Sequence, residues 1–164
     1  MLQRSSHAVF DCRYHLVWAT KRRRRALVRA EERSYCARLL RRVAEKYDMT
    51  VLALEVDVDH VHLAVVIPPQ QSVGSAVRKF KSLSARHMLL KFPYLKRSFY
   101  TREVWSPSYF VRTIGEGVTA EMVRRYIESH EARAELDSAQ EELFGPLAAG
   151  AGKRRPGRKR NAGP

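Results

Sequence analysis

Residues 9–19 read VFDCRYHLVWA, in which Tyr14, Leu16 and Trp18 alternate with His15 and Val17. A two-residue period in a stretch rich in β-branched and aromatic side chains predicts a strand. Between residues 31 and 47 the period changes. Cys36, Leu39, Leu40, Val43 and Tyr47 recur at helical spacing, and Arg38, Arg41, Arg42 and Glu45 occupy the opposite side. An amphipathic helix with one apolar face is expected. Residues 51–56 (VLALEV) and 60–67 (HVHLAVVI) then read as two strands, and the polar link Asp57-Val58-Asp59 favours an antiparallel hairpin. Pro68 and Pro69 stop the second strand, because proline cannot donate to a ladder.

A second helix is expected over residues 72–91, capped by Ser72, with Val73, Val77, Phe80 and Leu83 as its buried stripe. Residues 99–112 read as a strand broken at Ser106-Pro107, and Gly115 and Gly117 mark a turn. Thr119 caps a third helix spanning residues 119–136, with Glu121 in its first turn, where an acid suits the helix dipole. Met122, Val123, Ile127 and Ala134 form its expected buried stripe. The order strand, helix, strand, strand, helix, strand, helix predicts an α+β fold. The expected form is a ferredoxin-like or RRM-like sandwich, an antiparallel sheet with helices on one face and an extra C-terminal helix. The first strand, uncharged from His15 to Thr20, is a candidate sheet edge. No internal repeat is visible.

Composition narrows the class. A chain of 164 residues suits one domain, expected at residues 1–145, and two cysteines, Cys12 and Cys36, are too few for a disulfide framework. The Gly-, Ala-, Pro-, Lys- and Arg-rich residues 146–164 read as a basic disordered tail. Apolar runs such as residues 63–67 are too short to cross a bilayer, and MLQRSSHAVF lacks a signal-peptide core. A cytoplasmic, nucleoid-associated protein without a membrane partner is expected. Charge adds the partner. The net charge is +14, and removing the six basic residues among 151–164 leaves +8 for residues 1–150. A basic body predicts a polyanion, most often nucleic acid, with an anionic membrane or a merely basic soluble protein as alternatives.

Candidate chemistry centres on DHVHL at residues 59–63. In a strand, His60 and His62 project from one side, roughly 7 Å apart along the backbone, a spacing that suits two imidazoles on one metal ion. Taken alone, the pair more often means two histidines hydrogen-bonded within a sheet. On the third helix Tyr126 and His130 are four residues apart and share a face. They are either an amphipathic pair at the edge of the core or a nucleophile with a third metal ligand. A phenol is a weak nucleophile at neutral pH, and a divalent cation beside it would polarise a target phosphate.

Five segments together resemble the single-tyrosine HUH transposases, the TnpA-like enzymes that move insertion sequences as single-stranded DNA. They are YHLVWATK at residues 14–21, DHVHL at 59–63, KFKSLS at 79–84, WSPSYF at 105–110 and RYIE at 125–128, in the family's order. The resemblance implies that His60 and His62 are the metal pair and that Tyr126 attacks a phosphodiester, leaving a 5′-phosphotyrosine and a 3′-OH. It implies a divalent metal, Mg or Mn. His130 stands where the family commonly has glutamine, and an all-nitrogen shell would favour Mn, Ni or Zn over Mg. It further implies a homodimer and DNA hairpins as partners. Lys21, Arg22, Arg23 and Arg24 with Arg78, Lys79, Lys81 and Arg86 would hold the hairpin through its phosphates. Two other readings share these features in part. One is a domesticated relative that processes repeated hairpins, and the other is a non-catalytic RRM-like binder stacking bases on Tyr14 and Trp18.

Overall fold

The computed structural model describes residues 2–99, 103–115 and 117–129. Two short strands, β1 (Gln3–Arg4) and β2 (Val9–Phe10), pair as a separate ribbon, so the predicted strand over residues 9–19 is interrupted at residues 11–12. The body follows as β3 (Arg13–Ala19), α1 (Ala30–Lys46), β4 (Thr50–Val56), β5 (His60–Val66), α2 (Val73–Lys91), the single turn α3 (Leu95–Ser98), β6 (Phe110–Thr113) and α4 (Ala120–Glu128). The four-stranded sheet has the order β4-β5-β3-β6 with every neighbouring pair antiparallel. Two split strand-helix-strand units interleave, which is the ferredoxin-like arrangement expected from the element order.

This order corrects the placement of the first strand. β3 is not an edge: it lies between β5 and β6, and the edges of this sheet are β4 and β6. The uncharged run from His15 to Ala19 reflects burial on both faces. Leu16, Val17, Trp18 and Ala19 are all almost wholly buried.

The two faces of the sheet do different work. Leu16 and Trp18 of β3 and Val61, Leu63 and Val65 of β5 join α1's Cys36, Leu39, Leu40 and Val43 and α2's Ala76, Val77, Phe80 and Met88 in the main core. Burying such side chains contributes about 1.5–3 kcal/mol each before entropy is set against it. The opposite face is covered by α4, whose Val123 and Ile127 pack on Ala53 and Ala64. Small residues under a helix let it approach the sheet closely. The register slips between Val51 and Ala53, so Leu52 is a bulge residue and packs beside Ala53 on the α4 side. The bulge breaks strict alternation and gives β4 two consecutive side chains for α4.

Ser72 and Thr119 cap their helices as predicted, accepting from the Ser75 and Met122 backbone N–H groups at 3.2 Å each. The stripes need adjustment. Val73 and Leu83 are only half-buried, and Ser84 and Met88 take fully buried positions on α2. Met122 is 54% exposed, so α4's seat narrows to Val123 and Ile127. The third helix ends at Glu128, and Ser129 is extended with ψ 147°. The remainder of that predicted helix, Ala134 included, and the tail at 146–164 lie outside the described residues. No helix among the described residues is long and apolar enough to cross a membrane.

Candidate active site

The strand register that builds the sheet also builds the site. β5 turns Val61, Leu63 and Val65 into the main core, so His60, His62 and Ala64 face α4. β3 does the same with His15 and Val17, whose register partners on β5 are Ala64 and His62. The His60 and His62 rings stand 4.8 Å apart, centroid to centroid, at 77°. His60 follows directly on the hairpin turn, and its Nδ1 lies 2.6 Å from Asp59 Oδ1. Arg23 Nε approaches the other carboxylate oxygen of Asp59 at 3.7 Å. Burial would raise the Asp59 carboxyl, but the His60 hydrogen bond and the charges of His60, Arg23 and Arg25 hold it below the usual carboxylate range.

His62 is 2% exposed and takes a different partner: its Nδ1 is 3.4 Å from His15 Nε2, with the two rings stacked at 5.6 Å. His15 is itself buried, and desolvation with the nearby Arg112 charge lowers its pKa to about 4. At neutral pH it is an uncharged imidazole that can accept a hydrogen bond. α4 brings Tyr126 to the same place. Its ring meets His15 edge-on at 6.1 Å and packs with Val17 and Phe110. The predicted tyrosine and the predicted histidine pair are therefore brought together within one chain, with His15 between them.

The donor set suits a transition metal. Two imidazoles stand together, each with Nδ1 beside a polar neighbour, so Nε2 is the atom His60 would offer, and His62 would offer its own when it donates to His15. Among the described residues no group of three His, Cys, Asp or Glu side chains could hold a metal ion. The expected third ligand, His130, lies outside the described residues.

A family model described as "Transposase IS200 like" matches residues 8–130. The chain belongs to the IS200-like transposase family. It is 36% identical over 121 residues to the ISDra2 transposase TnpA of Deinococcus radiodurans, covering 74% of this chain and 85% of that one. It is 34% identical over 111 residues to the transposase of insertion sequence element IS200 from Salmonella typhimurium, covering 68% and 72%. A crystal structure of a Deinococcus radiodurans R1 protein described as a transposase superimposes with a TM-score of 0.67 at 31% identity, over 85% of this chain and 96% of that one. DNA is the partner that transposition requires.

In this IS200-like chain the basic residues singled out from sequence occupy several environments. Residues Lys21–Arg23 form one 3-10 turn just beyond β3, with Arg22 and Arg23 at positive φ (57° and 50°). Thr20 holds that turn, its hydroxyl donating to the Arg24 carbonyl at 2.7 Å. Lys21 pairs with Glu103 at 2.5 Å, and Arg24 donates to the Ser98 carbonyl. Arg22, Arg78 and Arg86 are exposed. Lys79 reaches Gln71 Oε1 at 2.5 Å and lies 4.2 Å over the Tyr47 ring. Lys81 donates to the carbonyls of Ser106, Pro107 and Ser108 at 2.9, 3.2 and 2.7 Å. Burial lowers its pKa to about 8, while the carbonyls favour its charged form. Lys21, Arg78 and Lys81 line a cavity of about 560 Å³ between α2 and the segment around Trp105.

The KFKSLS and WSPSYF segments turn out to fasten one another. Ser84 Oγ donates to the Phe80 carbonyl at 2.6 Å and accepts from Trp105 Nε1 at 2.9 Å, while Lys81 binds the three carbonyls after Trp105. Asp59 as the partner of His60, and His15 as the partner of His62, were not singled out as site residues from sequence. The signal for His15 was present. In the alternation that sends Tyr14, Leu16 and Trp18 to the core, His15 falls on the face that also receives His60 and His62.

Proposed function

We propose that this IS200-like chain cleaves and rejoins single-stranded DNA at insertion-sequence ends, with Tyr126 as nucleophile and His60, His62 and His130 as metal ligands. One observation carries the reading: α4 seats Tyr126 on the sheet face that bears His60 and His62, one ring away from His62 through His15. A binder that only stacks bases has no use for a tyrosine packed on the ring that touches His62, which counts against the RRM-like alternative.

In the proposed reaction Tyr126 Oη attacks a backbone phosphorus and its phenolic proton passes to solvent. The P–O3′ bond breaks, its electron pair leaves on the 3′ oxygen, and that oxygen takes up a proton to become a 3′-OH. The phosphate stays on Tyr126 as a 5′-phosphotyrosine, which keeps the bond energy for rejoining. Attack of a 3′-OH on that linkage reverses the step and restores the tyrosine. A divalent cation held by His60 and His62, with His130, would neutralise charge on the phosphate oxygens as the bond forms. Manganese or magnesium fits the proposed role, and the imidazole-rich donor set favours manganese, nickel or zinc over magnesium. Asp59 orients His60 for its part.

The exposed Arg22, Arg78 and Arg86 are the best-placed of the basic residues to take phosphates of a DNA hairpin. Lys21, Arg23, Arg24, Lys79 and Lys81 would act there only by exchanging the contacts they make with protein. A homodimer and a nucleoid-associated cytoplasmic location complete the proposal.

The test is a labelled single-stranded hairpin from the flank of the gene, incubated with purified protein and Mn2+ or Mg2+ and resolved on a denaturing gel. A metal-dependent protein–DNA adduct is expected, lost in Tyr126→Phe and in His62→Ala. Tight hairpin binding with no adduct under either cation would instead support the binder.

A further inference from the structure

We propose that His15 is a positioning residue of this site, whose ring nitrogen accepts the Nδ1–H of His62 and so fixes the tautomer in which His62 presents Nε2 to a cation. The inference rests on the reading of His60 and His62 as metal ligands and extends it to a residue outside that set.

A neutral imidazole carries one N–H and one lone pair, and whichever nitrogen donates leaves the lone pair on the other. His62 Nδ1 faces His15 Nε2 at 3.4 Å, with the rings inclined by only 19°. Two tautomer assignments satisfy that contact, and they have opposite consequences. If His62 donates, its lone pair sits on Nε2, where a metal can be bound. If His15 donates, His62 holds its proton on Nε2 and is blocked as a ligand at that atom. The proposed assignment gives His62 the same arrangement as its neighbour. His60 Nδ1 faces the Asp59 carboxylate at 2.6 Å, and a carboxylate only accepts, so His60 carries its proton on Nδ1. With His62 as the donor, both rings of the pair are braced through Nδ1 and offer Nε2, one braced by an anion and the other by a neutral ring.

His15 has little freedom to do otherwise. It is 4% exposed in the middle of the central strand, where its backbone is paired on both sides, to Ala64 of β5 and Arg112 of β6. Its ring is also held from above by Tyr126, edge-on at 84°. One side chain therefore touches both the second histidine of the pair and the tyrosine. Loss of the ring should loosen both, which a residue that merely fills space would not do through an acceptor atom.

The experiment compares the full chain with His15→Leu, which has no acceptor, and His15→Gln, whose amide oxygen can accept. Imidazole nitrogen chemical shifts, read by long-range nitrogen–proton NMR on metal-free protein, report the His62 tautomer directly. Calorimetric titration with Mn2+ and with Zn2+ reports affinity without reference to activity. The expected result is an Nδ1–H tautomer for His62 in the parent and a mixed tautomer in His15→Leu. Metal affinity should fall about 10- to 100-fold in His15→Leu, with most of the loss recovered in His15→Gln. Thermal melts establish that the variants remain folded. Should His15→Leu unfold, an Nε2–H tautomer for His62 in the parent, or a His15→Gln that folds yet binds as weakly as His62→Ala, would overturn the proposal. A folded His15→Leu with the parent's tautomer and affinity would overturn it as well. If the parent takes up neither cation and His62→Ala changes nothing, the metal reading itself fails, and the tautomer measurement still decides the contact.

Discussion

Lys81 illustrates how a basic residue on a helix can serve the fold as much as a ligand. Its ammonium donates to three successive carbonyls of the segment that follows Trp105, and replacing it removes charge-assisted bonds that hold that segment on α2. The side chain is partly open to water, so Lys81→Met is expected to cost about 1–2 kcal/mol, measured by chemical denaturation. Arg78→Ala, on an exposed arginine of the same helix, should leave stability within about 0.5 kcal/mol and weaken hairpin binding instead. Swapped outcomes for the two variants would show that Lys81 is the phosphate contact. The positions of these side chains were legible from helical spacing, but their partners were not, because the carbonyls at 106–108 come from a segment whose path no local period encodes. The histidines were legible for the opposite reason. A strand period fixes which side chains share a face, and His60 and His62 needed nothing more.

At the scale of elements, α4 decides whether the tyrosine meets the histidines. It rests on Ala53 and Ala64 through Val123 and Ile127, and the backbone N–H of Val123 is bonded to the carbonyl of Thr119, its N-cap. Arg13, buried beneath, donates to the Val118 carbonyl at 2.6 Å and ties the approach to α4 onto β3. Ala64→Leu should therefore overpack this seat, at about 1–3 kcal/mol, and reduce adduct formation far more than it reduces hairpin binding. A variant with normal melting and normal adduct yield would show that α4 is not held where it is described. The helix was legible from its cap and spacing. Its narrow seat was not, because Met122 shares the periodic stripe yet is left exposed while Val123 and Ile127 take the alanines. The order of strands also escaped the local pattern. An uncharged strand suits an exposed edge or a centre covered on both faces equally well, and only the pairing of β3 with both β5 and β6 decides between them.

The whole molecule separates stability from chemistry by face. The α1 and α2 side holds the main apolar core, and the α4 side carries the imidazoles, the phenol and the alanines that admit a helix. Cys36 lies within that core with no exposure, and burial pushes its thiol up to about 12. At pH 8 the native protein should accept an alkylating agent at Cys12, which is partly exposed, and protect Cys36 until it unfolds, as read by peptide mass mapping. Rapid labelling of Cys36 in native buffer would contradict the described packing. Net charge was legible at this scale and predicted a polyanion, while family membership makes that polyanion DNA.

In the proposed reaction Tyr126 becomes covalently joined to DNA in a site made by the paired histidines. The most direct measurement is mass spectrometry of the protein–DNA adduct after nuclease and protease digestion, locating the residual nucleotide phosphate on a peptide. A phosphate-linked nucleotide is expected on Tyr126, joined through its 5′ phosphate, with no such peptide from His62→Ala. A nucleotide on any other side chain, or a cleaved strand with no protein attached, would contradict it.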